Sequence, residues 1–379
     1  MPDPDLRRSP LHDVHVAAGA AFTEFVGWSM PLRYAGDLIE HHAVRTAAGL
    51  FDLSHMAEIL VLGPDAAAAL DAALVGELSK VPVGRAKYTL LLNAEGGIED
   101  DLVVYRTGED RYLVVANAAN REVVAGHLRD RATGFDAAVQ DETDDIGLIA
   151  IQGPRSQEIL LEVPRFAADD EDPTEARFRE LVTGLRNYRF LRAHWDGHPV
   201  LVARTGYTGE DGFELYAAPA LLPRLWAAVM DTGRGSGLVP AGLAARDTLR
   251  LEAGMPLYGH ELTSSTTPQQ AGLARVIPTA KERDYVGRAA VESPDAAGSR
   301  VLVGLRAEGR RAGRAGYPVL AGDREVGVVT SGALSPTLGH PIAMATVDRD
   351  AVDAALSIDV RGTRLPVTVV PLPFYSRKA

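Results

Sequence analysis

Cysteine is absent from the 379 residues of this chain, which excludes disulfide bridges, thiolate catalysis and cysteine-based zinc or iron–sulfur sites. Basic residues are outnumbered, since 39 Lys and Arg against 51 Asp and Glu leave a formal net charge of −12. A nucleic-acid-binding protein would need a basic domain or stripe. The chain also lacks any apolar run near the roughly 20 residues of a membrane span and an apolar signal-peptide core. We therefore expect a cytoplasmic protein that acts on small molecules and binds neither nucleic acid nor a membrane.

The familiar nucleotide, hydrolase and metal motifs are missing as well. The sequence contains no GxxxxGK[ST], HExxH or GxSxG pattern. Glu40, His41 and His42 are consecutive, and consecutive helical positions point about 100° apart. Two metal ligands on a helix normally need a spacing of four residues. The sequence therefore predicts no metal site.

The pattern of apolar residues predicts a protein of the α+β class. Residues 37–49 have the pattern of a helix that ends at Gly49, residues 50–62 are strand-like, and residues 65–75 form an alanine-rich helix. Residues 83–128 then predict three strands separated by turns and a following helix, which is typical of an antiparallel α+β unit. Residues 146–233 have a similar character. Because the chain exceeds the usual size of one hydrophobic core, we expect two or three domains.

The pattern of apolar and turn-forming residues changes near residue 285. Short apolar stretches beyond this point are separated by Gly, Pro and Asp turns, for example in AGYPVLAGDREVGVVTSGAL. This pattern is typical of a small all-β barrel or sandwich. We therefore place a domain boundary near residue 285.

The stretch GGIEDDLVVY, residues 96–105, places three carboxylates directly before an apolar strand. Because side chains alternate along a strand, Asp101 shares a face with Tyr105 while Asp100 lies on the other face. An ionised group at the edge of an apolar environment is costly unless it is hydrogen-bonded or paired. These carboxylates are therefore candidates for a functional site. The alternative is a solvated strand entrance after a Gly-Gly turn.

Two later segments also combine glycine or arginine with a possible binding role. The segment TGYTGEDGFE, residues 205–214, has a glycine at every third position, which permits tight turns or close approach of a ligand. The alternative is an irregular hairpin. Residues 242–254 have a helical pattern with Arg246 and Arg250 on one face. Arg246 could clamp a carboxylate or a polar heterocycle, or the helix could simply lie at the surface.

Eight segments in order resemble the T-protein of the glycine cleavage system, a tetrahydrofolate-dependent aminomethyltransferase. They are FVGWSMPLRY, HHAVRTAAGLFDLSHM, AKYTLLLNAEGGIEDDLVVY, VVANAANRE, IAIQGP, TGYTGEDGFE, GLAARDTLRLEAGMPLYG and TSGALSPTLG. The resemblance runs from about residue 9 to residue 375. It implies three domains in a clover leaf around a central channel, two of them α+β and the last a jelly-roll-like β barrel. The expected division is residues 1–285, with interleaved lobes of about 1–55 plus 145–285 and 56–144, and a barrel over 286–379.

The resemblance also implies a reaction and a set of site residues. The aminomethyl group of a lipoylated carrier, the H-protein, would react with tetrahydrofolate to give 5,10-methylenetetrahydrofolate, ammonia and dihydrolipoyl carrier. Asp101 matches the family's key carboxylate, which would orient the pterin amines and accept a proton. Glu214 and Arg246 would bind the pterin and nearby polar atoms of folate. The other expected folate-binding residues are Met56, Tyr88, Asp100, Tyr105, Asn117, Tyr207, Glu210 and Tyr375, although Met56 and Tyr105 could equally be core residues.

Other functions share this fold, because fold alone does not determine chemistry. The alternatives are a tetrahydrofolate-dependent demethylase and a non-catalytic folate-binding module. One further motif is a group of four arginines, which we call the arginine loop: Arg306, Arg310, Arg311 and Arg314. It could be a solvated loop, or it could attract the acidic surface of the carrier or the glutamyl tail of folate.

Overall fold

Strands dominate the computed structural model, which describes residues 6–377. Within these residues the strands are β1 (Arg7–Arg8), β2 (Ala21–Phe25), β3 (Trp28–Arg33), β4 (Ala48–Asp52), β5 (Ala57–Leu62), β6 (Ala86–Leu92), β7 (Ile98–Gly108), β8 (Arg111–Ala116), β9 (Ala138–Asp141), β10 (Gly147–Gln152), β11 (Phe166–Ala168), β12 (Phe190–Trp195), β13 (His198–Ala203), β14 (Gly212–Ala217), β15 (Leu238–Pro240), β16 (Arg300–Ala307), β17 (Pro318–Ala321), β18 (Arg324–Leu334), β19 (Pro341–Asp348), β20 (Leu356–Val360) and β21 (Thr363–Val370).

The helices are shorter and lie mostly outside the sheets. They are α1 (His12–Ala17), α2 (Asp37–Thr46), α3 (Ala66–Ala73), α4 (Arg121–Arg131), α5 (Ser156–Glu162), α6 (Glu175–Gly184), α7 (Leu222–Gly233), α8 (Leu243–Glu252) and α9 (Arg288–Val291). None of the helices in residues 6–377 has the length and apolar character needed to cross a membrane.

Two large sheets pack face to face in the first three quarters of the chain. The seven-stranded sheet has the order β11-β12-β13-β14-β10-β4-β15, and the five-stranded sheet has the order β6-β7-β8-β5-β9. Residues of both sheets meet in one buried cluster that includes Phe51, Leu113, Leu148 and Tyr216. Helices α3 and α4 cover the outer face of the five-stranded sheet, and α5, α6 and α7 cover that of the seven-stranded sheet. The result is four layers in the order α, β, β, α.

The end of α2 differs from the prediction. The helix ends at Thr46 rather than at Gly49, which instead lies in β4. A Cβ at Gly49 would approach Cγ2 of Val44 to 2.5 Å, so glycine is required here by close packing between helix and strand and not as a helix stop. The strand-like residues 50–62 likewise form two strands, β4 and β5, which belong to different sheets.

The last part of the chain folds into a closed antiparallel barrel. Its strand order is β16-β19-β18-β17-β20-β21, and apolar side chains such as Val319, Val326 and Val347 fill its interior. The predicted α+β class with a C-terminal β barrel is confirmed. Strands of the five-stranded sheet come from residues 57–141, and those of the seven-stranded sheet from residues 48–52 and 147–240. We propose the interleaved division at 56–144 on this basis, with the barrel over 286–379.

A buried ionic network joins α2 and α8 to the barrel. Glu252, which is fully buried, accepts hydrogen bonds from Arg45 (Nη2, 2.8 Å), Ser335 (Oγ, 2.5 Å) and Thr337 (Oγ1, 2.7 Å). His41 Nε2 lies 3.3 Å from the same carboxylate. Burial alone would raise the pKa of Glu252, but the hydrogen bonds from His41, Ser335 and Thr337 outweigh it and lower the pKa to about 2. The carboxylate therefore stays ionised and holds three elements together.

We predict that Glu252→Gln destabilises the protein at neutral pH by about 2 kcal/mol, because hydrogen bonds to a charged group are lost. A carboxylate whose pKa is depressed by folding stabilises the protein above its unfolded pKa, and that stabilisation disappears as the pH falls toward the folded value. The difference in unfolding free energy between the two proteins should therefore shrink between about pH 5 and pH 2. Denaturant unfolding across this range measures it, and a constant difference would contradict the prediction.

Candidate active site

The Gly96-Gly97 turn is packed against other segments of the chain and is not a solvated strand entrance. Both glycines are buried, and a Cβ on Gly97 would lie 1.8 Å from the carbonyl oxygen of Ser264. The next residue, Ile98, donates its N–H to the carbonyl of Thr266 at 3.0 Å. The solvated alternative for this stretch is therefore wrong, and β7 carries its carboxylates directly into a packed region.

Strand β7 turns its two aspartates to opposite faces, as alternation predicts. Asp100 is fully buried on the face where Leu102 and Val104 pack with α3 and α4. Asp101 lies on the same face as Tyr105, which belongs to the cluster between the two sheets. Asp101 is partly exposed, so its carboxylate is accessible to a substrate while that of Asp100 is not.

Amide and hydroxyl groups hold both carboxylates. The Asn117 side chain bridges them, since Nδ2 donates to Oδ1 of Asp100 at 2.7 Å and to Oδ1 of Asp101 at 2.8 Å. Tyr88 donates its hydroxyl to Oδ2 of Asp101 at 3.0 Å. Asp100 also accepts from Nδ2 of Asn120 at 2.8 Å and from the backbone N–H of Asn117 at 3.0 Å. The five side chains therefore form one fixed group.

Burial raises the pKa of both aspartates. The pKa of Asp100 is raised by burial and by the charge of Asp101, and the hydrogen bonds from Asn117 and Asn120 lower it only in part. For Asp101 burial is again the largest cause, opposed by the hydrogen bonds from Asn117 and Tyr88. Within residues 6–377 neither carboxylate has a cationic partner in an ion pair. The pair is therefore more easily protonated than ordinary aspartates, which suits an exchange of protons with a substrate.

Glu214 forms a second fixed group on β14. Its Oε2 accepts hydrogen bonds from Thr205 (Oγ1, 2.5 Å), Tyr105 (OH, 3.2 Å) and Tyr216 (OH, 3.2 Å). The hydroxyl oxygens of Tyr216 and Tyr105 also lie 3.2 Å apart. All three donors act on the same oxygen, and Oε1 accepts no hydrogen bond from residues 6–377. One oxygen of a rigidly held carboxylate is therefore available to a ligand.

Arg246 supplies positive charge opposite these carboxylates. Its guanidinium lies over the ring of Tyr207, 4.7 Å from the ring centre, and donates no hydrogen bond within residues 6–377. Burial lowers the pKa of Arg246, and the charge of Glu214 acts in the opposite direction. The Tyr207 hydroxyl is engaged by the carbonyl of Pro256. Arg246 therefore keeps its donors available, whereas Tyr207 is fixed under it.

His55 is a further polar group beside Arg246. It is buried, and its Nδ1 has no hydrogen-bond partner within the described residues. Burial and then the charge of Arg246 lower the pKa of His55 to about 4, so the imidazole is neutral near pH 7. Met56 follows it in the chain, is partly exposed and packs against the cluster between the sheets.

Burial raises the pKa of the Tyr207 phenol, and the charges of Arg250, Asp101 and Arg246 act on it. The Arg246 guanidinium lies on its ring. Five of these groups are partly exposed, and we infer that they border a common space: Tyr88, Asp101, Tyr207, Glu214 and Arg246. The fold therefore brings together most of the residues predicted from sequence, with Tyr105 buried between them and contributing its hydroxyl.

Glu210 and Tyr375 belong to the Arg45 network instead. Arg45 Nη1 donates to Oε1 of Glu210 at 2.9 Å, and the Arg45 guanidinium lies 4.1 Å from the ring centre of Tyr375. No hydrogen bond within residues 6–377 joins either residue to Asp101. A folate contact for these two residues stays a prediction.

The glycines of residues 205–214 make room for a protein side chain. A Cβ on Gly206 or on Gly212 would lie 2.0 Å and 2.2 Å, respectively, from side-chain atoms of Gln152. Gly209 has a φ of 79°, which L-residues rarely adopt. The close approach at the first two positions is therefore to Gln152, and it fixes the loop that leads into β14 and Glu214.

Four polar residues of the site escaped the prediction: His55, Asn120, Thr205 and Tyr216. Asn120 lies within VVANAANRE and Thr205 within TGYTGEDGFE. Their polar side chains in these segments could have indicated a place in the site. Tyr216 is two residues from Glu214 on β14, so alternation places it on the same face. His55 directly precedes Met56, but its position in the sequence does not indicate that one of its ring nitrogens lacks a hydrogen-bond partner.

The chain matches two family models over most of its length. Residues 11–281 match the model described as the GCVT N-terminal domain, and residues 300–376 match the glycine cleavage T-protein C-terminal barrel domain. The chain is 56% identical to the aminomethyltransferase of Cutibacterium acnes over 98% of this chain and 99% of that protein. It is 55% identical to the aminomethyltransferase of Saccharopolyspora erythraea, with the same coverage.

A solved structure extends this similarity to the fold. The crystal structure of the glycine cleavage system aminomethyltransferase T from Bartonella henselae superposes with a TM-score of 0.87 at 35% identity, covering 98% of both chains. The agreement includes all layers described above and the barrel.

We predict that Asp101→Asn lowers the pKa of Asp100, because the neighbouring like charge that raises it is removed. Titration of 13C-labelled aspartate carboxyls by NMR measures the shift. A carboxyl that titrates well above pH 4 in the unmodified protein should move to lower pH in the variant. An unchanged titration would contradict the coupling between the two aspartates.

Proposed function

Because this chain belongs to the glycine cleavage T-protein family and is an aminomethyltransferase, we propose that tetrahydrofolate is its acceptor and a lipoylated carrier, the H-protein, its donor. In this reaction the methylene carbon loses its bonds to sulfur and to the amino nitrogen and gains bonds to N5 and N10 of the folate. The two N–H protons of the folate end on ammonia and on the dihydrolipoyl thiol. The products are 5,10-methylenetetrahydrofolate, ammonia and dihydrolipoyl carrier.

The polar groups of the site fit the edges of a reduced pterin. A pterin presents N–H and amino donors along one edge and a carbonyl acceptor beside them. The free Oε1 of Glu214 can accept from the donors, and Arg246 has unused donors for the carbonyl. Neutral His55, whose Nδ1 lacks a partner, adds a further polar contact. We therefore assign Glu214 and Arg246 to the pterin ring.

Asp101 is the group proposed to act on the reacting nitrogens, and the observation that carries this role is its held but uncompensated carboxylate. Attack of a folate nitrogen on the methylene carbon develops positive charge on nitrogen and requires a proton to be removed. A carboxylate with a raised pKa can stabilise that charge and accept the proton. Tyr88 and Asn117 each hold one oxygen of Asp101, which fixes the direction in which the remaining lone pairs point.

The other predicted residues receive supporting roles under this proposal. Asp100 and Asn117 would orient Asp101, and Tyr105 would orient Glu214. Tyr207 would keep Arg246 in place, and Met56 would supply an apolar wall. Glu210 and Tyr375 would act further from the pterin, toward the bound donor.

We predict that Asp101→Asn reduces turnover by about 10²–10⁴-fold, which is the usual contribution of a general base, while tetrahydrofolate affinity changes little. The assay follows methylenetetrahydrofolate and ammonia formed from aminomethylated lipoyl carrier, and isothermal titration follows folate binding. Glu99→Gln is the matched control, because it removes a partly exposed carboxylate from the same strand. A near-normal rate in Asp101→Asn would remove the proposed role.

The arginine loop supports the proposal of an acidic macromolecular donor. All four arginines are exposed, and within residues 6–377 none of them pairs with a carboxylate, although other exposed arginines such as Arg300 and Arg324 do. Arg314 donates to the carbonyl of Gly332 at 3.3 Å, next to Ser331, which accepts from Arg250 of α8 at 2.7 Å. Arg314 of the loop therefore lies near the helix that carries Arg246, and we propose that a carrier bound at the loop extends its lipoyl arm from there to the site.

We predict that the double variant Arg310→Glu/Arg311→Glu raises the KM for the lipoylated carrier at least tenfold at low salt, since a complementary field is reversed. The KM for tetrahydrofolate should not change. Arg129→Glu/Arg179→Glu is the matched control, because it makes the same charge change at exposed positions of α4 and α6. Equal salt dependence of the carrier KM in all three proteins would identify the loop as merely solvated.

A further inference from the structure

Tyr188 has an unusual backbone conformation for an aromatic residue. It lies between α6 and β12 with a φ of 57°, a left-handed conformation that is costly for bulky residues. Its side chain is 45% exposed, so core packing does not explain it. Residues held in such conformations tend to cluster at functional sites, where the surrounding structure fixes them.

Three of the other four non-glycine residues with positive φ have a simpler explanation, and the fourth, Arg165, lies between α5 and β11. Val26, Asp196 and Arg361 each precede a glycine in the two-residue turn of a hairpin, and both turn residues have positive φ. Such turns match the twist of the strands they connect. Tyr188 is not in a hairpin, and a turn requirement therefore does not account for it.

Backbone hydrogen bonds on both sides fix Tyr188 between the two large sheets. Its carbonyl accepts from the N–H of Ala86 on β6 at 2.9 Å, and its N–H donates to the carbonyl of Arg204, which follows β13, at 3.0 Å. Two sheets thus determine the position of one residue. Relaxation to a normal φ would break at least one of these bonds.

The same anchors set Tyr188 at the edge of the site. Ala86 is opposite Tyr105 in the β6–β7 register and two residues before Tyr88, whose hydroxyl holds Asp101. Arg204 directly precedes Thr205, whose hydroxyl holds Glu214. Tyr188 therefore lies between the wall that carries Asp101 and the wall that carries Glu214.

The charges of Glu214 and Asp101 both act on the phenol of Tyr188. Burial raises its pKa, and the charges of Glu214 and then Asp101 raise it further. Its hydroxyl makes no hydrogen bond within residues 6–377. Both the ring and the hydroxyl of this side chain are therefore available to a ligand.

We propose that Tyr188 is a substrate-positioning residue whose ring packs on the aminobenzoyl ring of tetrahydrofolate at the open side of the site. This inference rests on the proposed function. A pterin bound between Asp101 and Glu214 must extend its aminobenzoyl and glutamyl parts toward solvent, and Tyr188 is a half-exposed aromatic at that border. Offset packing of two rings would orient N10, which the aminobenzoyl ring carries, next to the reacting carbon.

The test compares Tyr188→Gly and Tyr188→Phe with the unmodified protein. Glycine accepts the left-handed conformation without strain, so the thermal midpoint should be unchanged or higher, while the dissociation constant and KM for tetrahydrofolate should rise about tenfold. Phenylalanine keeps the ring and should leave both constants within about twofold. Val26→Gly is the matched control, since it makes the same backbone change at an exposed position with a φ of 53° and should not affect folate.

Binding of tetrahydrofolate, measured by isothermal titration, decides among the outcomes. An unchanged dissociation constant in Tyr188→Gly would overturn the inference and leave the proposed function standing, whereas failure of the unmodified protein to bind would overturn both. If Tyr188→Phe binds as poorly as Tyr188→Gly, the ring is not the binding element and the inference fails. If Tyr188→Gly lowers the thermal midpoint, Tyr188→Leu serves as a second variant, because leucine keeps apolar bulk without a ring. It must show the same loss of affinity for tetrahydrofolate.

Discussion

The candidate site depends on carboxylates that have no cation paired with them within residues 6–377. Removing an ionised group from water is costly unless hydrogen bonds or opposite charges compensate, and the hydrogen bonds that these carboxylates accept within the described residues come from neutral donors. Asn117 and Tyr88 orient Asp101 without neutralising it, and three hydroxyls do the same for one oxygen of Glu214. Such groups are fixed in direction yet retain affinity for a proton or a donor, which is what a site for a polar heterocycle needs.

Elsewhere the same fold pairs several of its buried charges, although both carboxylate oxygens of buried Glu58 lack a hydrogen-bond partner within the described residues. Glu252 is engaged by Arg45, and Arg250 donates to Glu261 at 3.0 Å and to Asp247 at 2.7 Å. Arg246 and Arg250 are one turn apart on α8, yet only Arg250 is paired within the described residues. The paired charges tie α2, α8 and the barrel into a frame, whereas Asp101, Glu214 and Arg246, which have no ion-pair partner within residues 6–377, are partly exposed. Some glutamates and arginines therefore stabilise the fold, whereas others of the same residue types are available to a ligand.

The sequence predicted those features that follow from local periodicity. Alternation along β7 separates Asp100 from Asp101, and the short strands after residue 285 form a barrel, because both depend on neighbouring residues. Contacts between distant segments could not be predicted in this way. Thr205 and Tyr216 contact Tyr105, although about one hundred residues separate them along the chain. Arg45 forms an ion pair with Glu210, and the sequence of the loop that contains Glu210 does not indicate this partner. Gly49 likewise looked like a helix stop because its close contact with Val44 is a property of packing.

A crystal structure of the protein with a reduced folate tests directly whether Asp101 faces the pterin. We predict that the pterin lies between the two large sheets, with N5 about 3 Å from a carboxylate oxygen of Asp101 and the pterin amino group on the free oxygen of Glu214. A pterin bound away from Asp101, Glu214 and Arg246, or an Asp101 carboxylate turned away from the pterin, would contradict the proposed site.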